Sequence, residues 1–291
     1  MRSKLFVPAS RPELYRKALN SASDSVSFDL EDAVKPEDRP EARKFLSQFL
    51  DQMPLNSQSQ TKDLIVRINS LESDDIRADL QVAVHPNIQI INLPKVESKE
   101  QIIELAERIN VIAAKKGLKN KLAILATIET PKGLRNAHEI AGSSEQLVAL
   151  QLGFGDLLAP FNITATDMSI RQYIRLQLKM AAAEHQLAVW DSAWPDIHDS
   201  EGFIADAQAA KNLGYTGKSC IHPTQIVLAN RIFMPTKQEV EQALAIIETA
   251  KNSQHGASQY QGKMIDAPYL AQAYAVVEQI KNISKRKLNN E

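Results

Sequence analysis

The sequence predicts an α/β protein, a (β/α)₈ TIM barrel with a C-terminal helical extension, and two observations lead to this expectation. Eight short runs rich in Val, Ile and Leu recur along residues 4–223, and segments with the period of a helix lie between them. Near-continuous apolar runs are typical of strands that are buried on both faces, as in a parallel sheet. A chain of 291 residues with 44% hydrophobic content is large enough for one such domain.

The predicted strands are short and apolar. They are KLFVP (4–8), SVSFDL (25–30), LIVRIN (64–69), IQIINLPK (88–95), KLAILATIE (121–129), QLVALQLGF (146–154), LAVWDSAW (187–194) and GKSCIHP (217–223). Eight strands that alternate with helices favour a closed barrel, although an open doubly wound sheet would have the same alternation.

The segments between the strands have amphipathic patterns with recognisable helix ends. Helices are predicted within residues 11–21, 36–50, 98–117, 168–185 and 199–214. The last of these begins with acidic residues and ends at a glycine, as helices commonly do. Two more helices follow, within 238–253 and from about Pro268. We therefore expect the barrel to cover residues 1–236 and the extension to cover 237–291.

The charge and cysteine content exclude several classes of protein. A formal net charge of −1 gives no overall attraction to nucleic acid or to an anionic membrane. The single cysteine, Cys220, cannot form an internal disulfide and cannot build a Cys₄ or Cys₂His₂ zinc site. No window approaches the roughly 20 apolar residues of a membrane span. The N-terminal apolar run, which Pro8 ends, is too short for an export signal. A soluble, cytoplasmic protein is expected.

Polar residues collect at the ends of the predicted strands, where a (β/α)₈ barrel carries its chemistry. Charged groups are costly to bury unless they are paired or bound to a metal. Their recurrence at one end of successive strands therefore predicts a functional site. The residues concerned are Asp29, Glu31, Asp32, Arg67, Asn69, Lys95, Glu129, Asp156, Asp191, Asp196 and His222.

Glu129 and Asp156 follow adjacent predicted strands and could share one Mg²⁺ or Mn²⁺ ion. Hard oxygen ligands suit such an ion, and two carboxylates leave coordination positions for substrate and water. The alternative is that each carboxylate pairs with Arg67 or Lys95 in an ion network at the barrel mouth. The spacing alone leaves both alternatives open.

Arg67 presents a planar guanidinium that suits bidentate binding of a substrate carboxylate. Its alternative role is a salt bridge to Glu31 or Asp29. The turn GFGD, residues 153–156, places two glycines beside Asp156, which allows backbone N–H groups to approach an anion.

The motifs that carry these residues resemble those of citrate lyase β-subunits and of the related citramalyl-CoA and malyl-CoA lyases in the HpcH/HpaI aldolase superfamily. The resemblance extends nearly from end to end of the chain. The matching stretches are RSKLFVPASRPE, SFDLEDAVKPEDRPEAR, VRINS, LPKVES, IETPKGL, GFGDL, GYTGKSCIHPTQI and GKMIDAP.

The resemblance implies that Glu129 and Asp156 bind Mg²⁺ and that Arg67 holds the carboxylate of the acid, as a catalytic and substrate-binding residue. It also implies a homotrimer in which Asp266, from the GKMIDAP segment, is a catalytic group. That aspartate would come from a neighbouring subunit, so the extension 237–291 would complete a neighbouring active site.

The resemblance implies further substrate-binding positions. Gly155, Asp156 and Leu157 would fix the acid through the backbone of the glycine turn. Lys17 in the basic N-terminal helix would contact the CoA portion, and Asp196 and Ile197 would line the CoA groove.

Two departures from the family pattern stand out. Many relatives have a glutamate immediately before the metal-binding aspartate, where this chain has Gly155. The first turn has Ala9 where glycine is usual. The first departure removes a negative charge beside the expected metal, and the second adds a methyl group where the backbone would approach CoA.

The activity that the resemblance implies is reversible retro-Claisen cleavage of a β-hydroxyacyl-CoA thioester, of the malyl-, citramalyl- or citryl-CoA type. The products would be acetyl- or propionyl-CoA and a 2-oxo acid. Three alternatives stay open: the β-subunit of a citrate lyase complex that acts on a citryl carrier protein, a metal-dependent aldolase of free 2-oxo acids, and a non-catalytic binding protein. No nucleic acid or membrane partner is expected.

Overall fold

The computed structural model describes residues 1–54, 62–252 and 258–288 of the chain. These residues form two compact units, one made of the described residues before Met234 and one that begins at Met234. The first unit contains eight parallel strands, β1 to β8: Ser3–Pro8, Ser25–Asp29, Asp63–Arg67, Ile90–Leu93, Ala123–Ile128, Leu147–Leu152, Ala188–Asp191 and Gly217–Cys220.

The eight strands form a closed barrel in sequence order. Each strand pairs with the next one, and β8 returns to β1, where Lys4 is level with Ser219. The open-sheet alternative is therefore wrong, and the predicted (β/α)₈ barrel is confirmed. All eight predicted strands are present, and their observed ends lie within a few residues of the predicted ones.

Ten helices of the described chain belong to the first unit, and five of them were predicted. The helices α1 to α10 are Tyr15–Leu19, Arg39–Gln52, Ile76–Ala83, Lys99–Lys115, Pro131–Arg135, Ala137–Ala141, Phe154–Leu158, Met168–Glu184, Ser200–Asn212 and Pro223–Ile232. The helices that the sequence did not reveal have five to ten residues. Such segments are shorter than the window of about 11 residues in which a helical period becomes visible.

Helix α4 shows how sequence dictates the helices of the barrel. Ser98 and Gln101 form a reciprocal capping box at its start, which satisfies N–H groups that have no partner within the helix. Ile102, Leu105 and Ile109 are buried at the spacing of one helical face. This spacing directs one side of the helix against the sheet.

The inside of the barrel is apolar at its N-terminal end and polar at its C-terminal end. Ile65, Ile90, Leu125, Ala149 and Trp190 form a buried cluster, and Ala123 and Ala188, the first residues of their strands, pack against it. This plug closes one end of the barrel with hydrophobic contacts. The ends of the strands are left to carry polar side chains.

An ion network is buried between the outer face of the barrel and helices α8 and α9. Arg175 Nε donates to Asp191 Oδ1 at 2.9 Å, and Arg175 Nη2 donates to Asp206 Oδ1 at 2.6 Å. Lys218 Nζ donates to both aspartates, and Arg171 forms a bidentate pair with Asp206. All five side chains are 0–2% exposed. The network therefore joins two strands to two helices through pairs of opposite charge.

The second unit contains two helices and a hairpin: α11 Lys237–Asn252, β9 Ser258–Tyr260, β10 Lys263–Ile265 and α12 Ala267–Leu288. Gln261 and Gly262 have φ of 49° and 78°, which is the left-handed conformation that a tight hairpin turn requires. Ala243, Ile247 and Ala273 form a small buried cluster between the helices. None of the helices in the described ranges is long and apolar enough to cross a membrane.

Asp206→Asn should remove about 3–5 kcal/mol of unfolding free energy at neutral pH, because it leaves buried cations without their counter-charge. Glu104→Gln breaks an exposed ion pair with Arg108 and should cost less than about 1 kcal/mol. Urea unfolding monitored by circular dichroism measures both changes.

The unfolding free energy lost in Asp206→Asn should also depend on pH. Burial alone would raise the pKa of Asp206, but the charges of Lys218, Arg175 and Arg171 hold it well below its usual value. A group with a depressed folded-state pKa stabilises the fold above its unfolded pKa of about 4, and that stabilisation is lost as the pH falls toward the folded value. The difference between wild type and Asp206→Asn should therefore shrink below about pH 4, and a constant difference would contradict the assignment.

Candidate active site

A cavity of about 400 Å³ opens at the mouth of the barrel where the strands end. Its lining comes from the C-terminal ends of seven strands or the residues just after them. Four charged residues, Asp29, Asp32, Arg67 and Glu129, are part of the lining. The cavity therefore coincides with the site that the strand-end residues predict.

Arg67 is held by three carboxylates at the end of β2 and in the loop that follows it. Its Nε and Nη2 donate to the two oxygens of Asp29 at 2.8 and 2.5 Å. Its Nη1 lies 2.8 Å from Glu31 Oε2 and 3.3 Å from Asp32 Oδ2. Lys95 Nζ completes the group by donating to Glu31 Oε1 at 2.7 Å. Arg67 therefore forms salt bridges to Asp29 and Glu31, the alternative role that the sequence left open.

Glu129 stands apart from these pairs. It lies directly after β5 and is 3% exposed, and its Oε1 accepts the backbone N–H of Lys95 at 2.8 Å. Within the described ranges it makes no ion pair. Burial raises the pKa of Glu129 to about 8, and the negative charge of Glu31 adds to the shift. The alternative in which Glu129 forms an ion pair with Arg67 or Lys95 is therefore wrong.

The backbone of Lys95 is adapted to this contact. Its φ is 54°, in the left-handed region that non-glycine residues seldom occupy. The conformation places the Lys95 N–H on Glu129 while the ammonium group reaches Glu31. Such conformations persist where the surrounding contacts hold them, and they cluster at functional sites.

The turn after β6 is shaped to accept the Glu129 carboxylate. A Cβ atom at Gly153 would stand 2.3 Å from Glu129 Oε2, so glycine is required for this close approach. Phe154 N donates to Ser192 Oγ at 3.1 Å. The guanidinium carbon of Arg171 lies 3.9 Å from the centre of the Phe154 ring. The buried ion network thus supports the turn from behind.

The three predicted residues of this turn have different environments. Gly155 and Asp156 are exposed in the first turn of α7, where backbone N–H groups have no partner within the helix. The charge of Asp156 contributes to the raised pKa of Glu129, so the two carboxyl groups interact. Leu157 is buried, and its N–H already donates to the Gly153 carbonyl oxygen at 3.1 Å. The N–H groups left to meet an acid are those of Gly155 and Asp156.

The other predicted binding residues lie outside this cavity lining. Lys17 is exposed on α1, and Asp196 and Ile197 are exposed in the loop after β7. Asp196 Oδ1 accepts the His198 N–H at 2.8 Å. Asp266 belongs to the second unit, between β10 and α12, and its Oδ1 is shielded from solvent with no hydrogen-bond partner among the described residues.

Three strand-end residues of the sequence analysis have structural roles. Asp191 points away from the cavity and belongs to the buried ion network, so its expected place at the mouth was wrong. Side chains alternate between the two faces of a strand, and this position faces outward. Asn69 Nδ2 bonds Asp79 Oδ2 at 2.7 Å, and His222 caps α10.

Several residues of the cavity region were not predicted from the sequence. Phe6, Gln151, Ser192 and Ser219 line the cavity, and Lys4 donates to Gln151 Oε1. Period-two alternation along the strands is the signal that could have found them, because Lys4 and Phe6 share the inward face of β1.

The residues at the mouth fit a magnesium ion. Two cations, Arg67 and Lys95, face a larger set of carboxyl groups, which comprises Asp29, Glu31, Asp32, Glu129 and Asp156. Mg²⁺ is usually bound through one or two carboxylates, with substrate and water at the remaining positions. Over the ranges that the structure describes, no cluster of three or more His, Cys, Asp and Glu side chains forms a metal site. Two protein carboxylates with substrate and water at the other positions is a common arrangement for Mg²⁺.

Comparisons with known proteins identify relatives along the whole chain. A family model described as HpcH/HpaI aldolase/citrate lyase matches residues 2–223. The citrate lyase subunit beta of Haemophilus influenzae is 33% identical over 286 residues, which cover 97% of each chain. The L-malyl-CoA/beta-methylmalyl-CoA lyase of Rhodobacter capsulatus is 31% identical over 302 residues, covering 96% of this chain and 94% of the relative.

A solved structure is similar over nearly the full length. It is the crystal structure of the protein CitE from Mycobacterium tuberculosis in complex with magnesium, acetoacetate and coenzyme A. The TM-score is 0.76 at 28% sequence identity, and the match covers 96% of this chain and 99% of that one.

Glu129→Gln should change how the stability of the metal-free protein depends on pH. A carboxyl group whose folded-state pKa is raised contributes stability below its unfolded pKa of about 4.3, and that stability is lost as the pH rises through the folded value. Since the pKa of Glu129 is raised to about 8, chelator-treated wild type should lose stability relative to Glu129→Gln between pH 6 and pH 9.5 (roughly bracketing that value). Urea unfolding at both pH values measures this, and parallel pH profiles would contradict it.

Proposed function

This chain belongs to the HpcH/HpaI aldolase/citrate lyase family, and on that premise we propose that it is a magnesium-dependent carbon–carbon lyase. Its substrate is a β-hydroxyacyl-CoA of the malyl-, citramalyl- or citryl-CoA type, which it cleaves reversibly to acetyl- or propionyl-CoA and a 2-oxo acid. The observation that carries the proposal is Glu129, a buried carboxyl that forms no ion pair among the described residues, at the edge of a mouth cavity rich in carboxylates.

Glu129 and Asp156 are the residues that would hold Mg²⁺. When bound, the ion supplies a Lewis acid that stabilises negative charge on the oxygen of the cleaved carbon. Magnesium in the CitE crystal structure supports this choice of ion. Lys95 holds Glu129 in place through its backbone N–H, and Gly153 allows the carboxylate to lie against the turn.

Arg67 and the glycine turn bind and orient the acid. The Nη1 atom of Arg67 contacts the half-exposed Asp32 as well as the buried Glu31, so an incoming carboxylate can replace the contact with Asp32 while Asp29 and Glu31 keep the side chain in position. The N–H groups of Gly155 and Asp156 fix the other end of the acid. Leu157 packs beneath the turn and positions it.

Asp266 is the proposed acid/base group. In the cleavage direction Asp266 accepts the hydroxyl proton, the carbon–carbon bond breaks, and its electron pair passes into the thioester enolate. Asp266 then returns a proton to the enolate carbon, so no net proton is consumed. We place this aspartate in the active site of a neighbouring subunit, within a homotrimer in which residues 237–291 complete that site. Its Oδ1, shielded and without a partner among the described residues, supports a role outside its own unit.

The CoA portion is assigned to the outer surface of the mouth. Lys17 on α1 is an exposed cation suited to a CoA phosphate, and Asp196 with the exposed Ile197 would form one side of the groove. Coenzyme A in the CitE crystal structure supports a thioester of CoA as substrate.

A second candidate is the β-subunit of a citrate lyase complex that acts on a citryl carrier protein. It is favoured by the 33% identity to the citrate lyase subunit beta of Haemophilus influenzae over 97% of each chain. This candidate requires the other subunits for turnover, whereas the first requires only the purified protein.

Purified protein should cleave malyl-CoA or citramalyl-CoA only when Mg²⁺ is present, as measured by trapping the released 2-oxo acid as its phenylhydrazone. Glu129→Gln should lower kcat/KM at least about a hundredfold, because a ligand of the charge-stabilising ion is lost. Glu104→Gln, an exposed position on α4, is the matched control and should retain activity.

Asp266→Asn should be equally inactive while it still binds CoA. Reassembled mixtures of Glu129→Gln and Asp266→Asn subunits should regain activity, because some sites then combine an intact Glu129 with an intact Asp266. Full activity of metal-stripped protein would rule out the metal-dependent scheme, and turnover only with added carrier protein would establish the second candidate.

Gly153→Ala should weaken Mg²⁺ binding at least about tenfold, since the new methyl group displaces the Glu129 carboxylate and such supporting changes cost about 10- to 100-fold in metal affinity. Gly155→Ala is the matched control, because a Cβ there meets no atom within 4 Å. Its metal affinity should stay within about twofold of wild type. Isothermal titration with Mg²⁺ measures both, and equal affinities for the two variants would contradict the assigned geometry.

A further inference from the structure

Lys4 is a charged residue inside the barrel. It lies within β1, is 1% exposed, and is level with Ser25 of β2 and Ser219 of β8. Its ammonium group donates to Gln151 Oε1 and lies 4.3 Å from the centre of the Phe6 ring. A buried ammonium without a carboxylate is costly, and no carboxylate pairs with Lys4 in the part of the chain that the structure describes. A lysine at this buried position is therefore not explained by a contribution to stability.

The barrel interior around Lys4 is polar. The hydroxyl groups of Ser27 and Ser219 are buried and have no hydrogen-bond partner among the described residues. Ser219 and Gln151 also line the mouth cavity. Lys4 therefore lies beneath the floor of that cavity, between the apolar plug and the layer that contains Arg67 and Glu129.

The contact with Lys4 determines which way the Gln151 amide faces. An ammonium group carries only donors, so the oxygen of the amide must point toward it. Burial lowers the pKa of Lys4 and the charge of Arg67 adds to the shift, whereas Asp29 and Glu129 oppose it. The neutral amine also carries N–H donors, so the donation to Oε1 seen in the structure does not require the ammonium form. Because Oε1 faces Lys4, the Nε2 donors of Gln151 are the ones left for the cavity.

We propose that Lys4 is a positioning residue that fixes the amide of Gln151, whose Nε2 then donates a hydrogen bond to an oxygen of the acid portion of the substrate. Gln151 is thereby a specificity-determining residue for acids that place a carboxylate or carbonyl oxygen at the cavity floor. The inference rests on the proposed function, since the acid concerned is the 2-oxo acid of that reaction. Neither residue has an ion-binding or acid/base role in the scheme above.

The test measures binding of pyruvate, glyoxylate and oxaloacetate to the full-length protein with Mg²⁺, by isothermal titration. Lys4→Met and Gln151→Met should each weaken the acid that wild type binds best by at least about tenfold, the effect of one hydrogen bond to a charged group. Affinity for CoA should stay within about twofold. Gln151→Glu should weaken acid binding further, because a carboxylate would then face the cavity.

The double variant separates positioning from an independent role. If Lys4 acts only through Gln151, Lys4→Met should cause no further loss in a Gln151→Met background. Lys179→Met, a half-buried lysine on α8 away from the cavity, is the matched control and should bind as wild type does. Replacing a buried charge by an apolar side chain of similar volume is often neutral for stability, and thermal unfolding of each variant checks this.

Wild-type acid affinity in Lys4→Met, additive losses in the double variant, or an equal loss of CoA affinity would each overturn the inference. Failure of wild type to bind any of the three acids would overturn it as well. The cleavage assay on the same preparations separates the two proposals. If acid binding depends on both Lys4 and Gln151 but the protein cleaves no thioester, the inference about these two residues holds. The proposed lyase function is then wrong.

Discussion

Closure of the sheet between β1 and β8 is the constraint on which the rest of the structure depends. The pairing of Lys4 with Ser219 brings the first strand beside the last, and all eight strands then end on one rim. Because the strands are parallel, side chains from distant parts of the sequence meet at that rim. The contact between Lys4 on β1 and Gln151 on β6 crosses the interior, which only a closed barrel allows.

Some carboxyl groups at the mouth are paired with a cation and others are not, and this difference determines what the site can bind. Arg67 and Lys95 neutralise the loop after β2, so Asp29 and Glu31 are satisfied within the protein. Among the described residues, Glu129 receives one backbone N–H and forms no ion pair. A buried carboxyl in that position is stabilised either by a proton or by a bound cation. The site is therefore suited to a metal ion without further rearrangement of its ion pairs.

The buried ion network supports this site from outside the barrel. Lys218 Nζ donates to the Ser192 carbonyl oxygen at 2.7 Å, and the hydroxyl of Ser192 accepts the Phe154 N–H. Arg171 covers the Phe154 ring and also pairs with Asp206. The turn that contacts Glu129 is thus fixed by charges that never reach the cavity. Such a network contributes little net stability compared with apolar packing, but it fixes geometry because most of its donors have a defined acceptor. Arg175 Nη1 is the exception, since it is buried without a partner among the described residues.

The sequence by itself determined the barrel and the position of its chemistry, because buried strands, helix caps and strand-end polar residues are local patterns. Glu129, Asp156 and Arg67 were predicted as site residues in this way, and the C-terminal helices were predicted from their helical period. Three features depended on tertiary structure: Arg67 is already paired, Asp191 faces outward, and Lys4 faces inward beneath Gln151. Each depends on which face of a strand a residue occupies and on what lies across the barrel. Alternation along a strand separates its two faces, but closing the sheet decides which face is inside and which residues meet across the barrel.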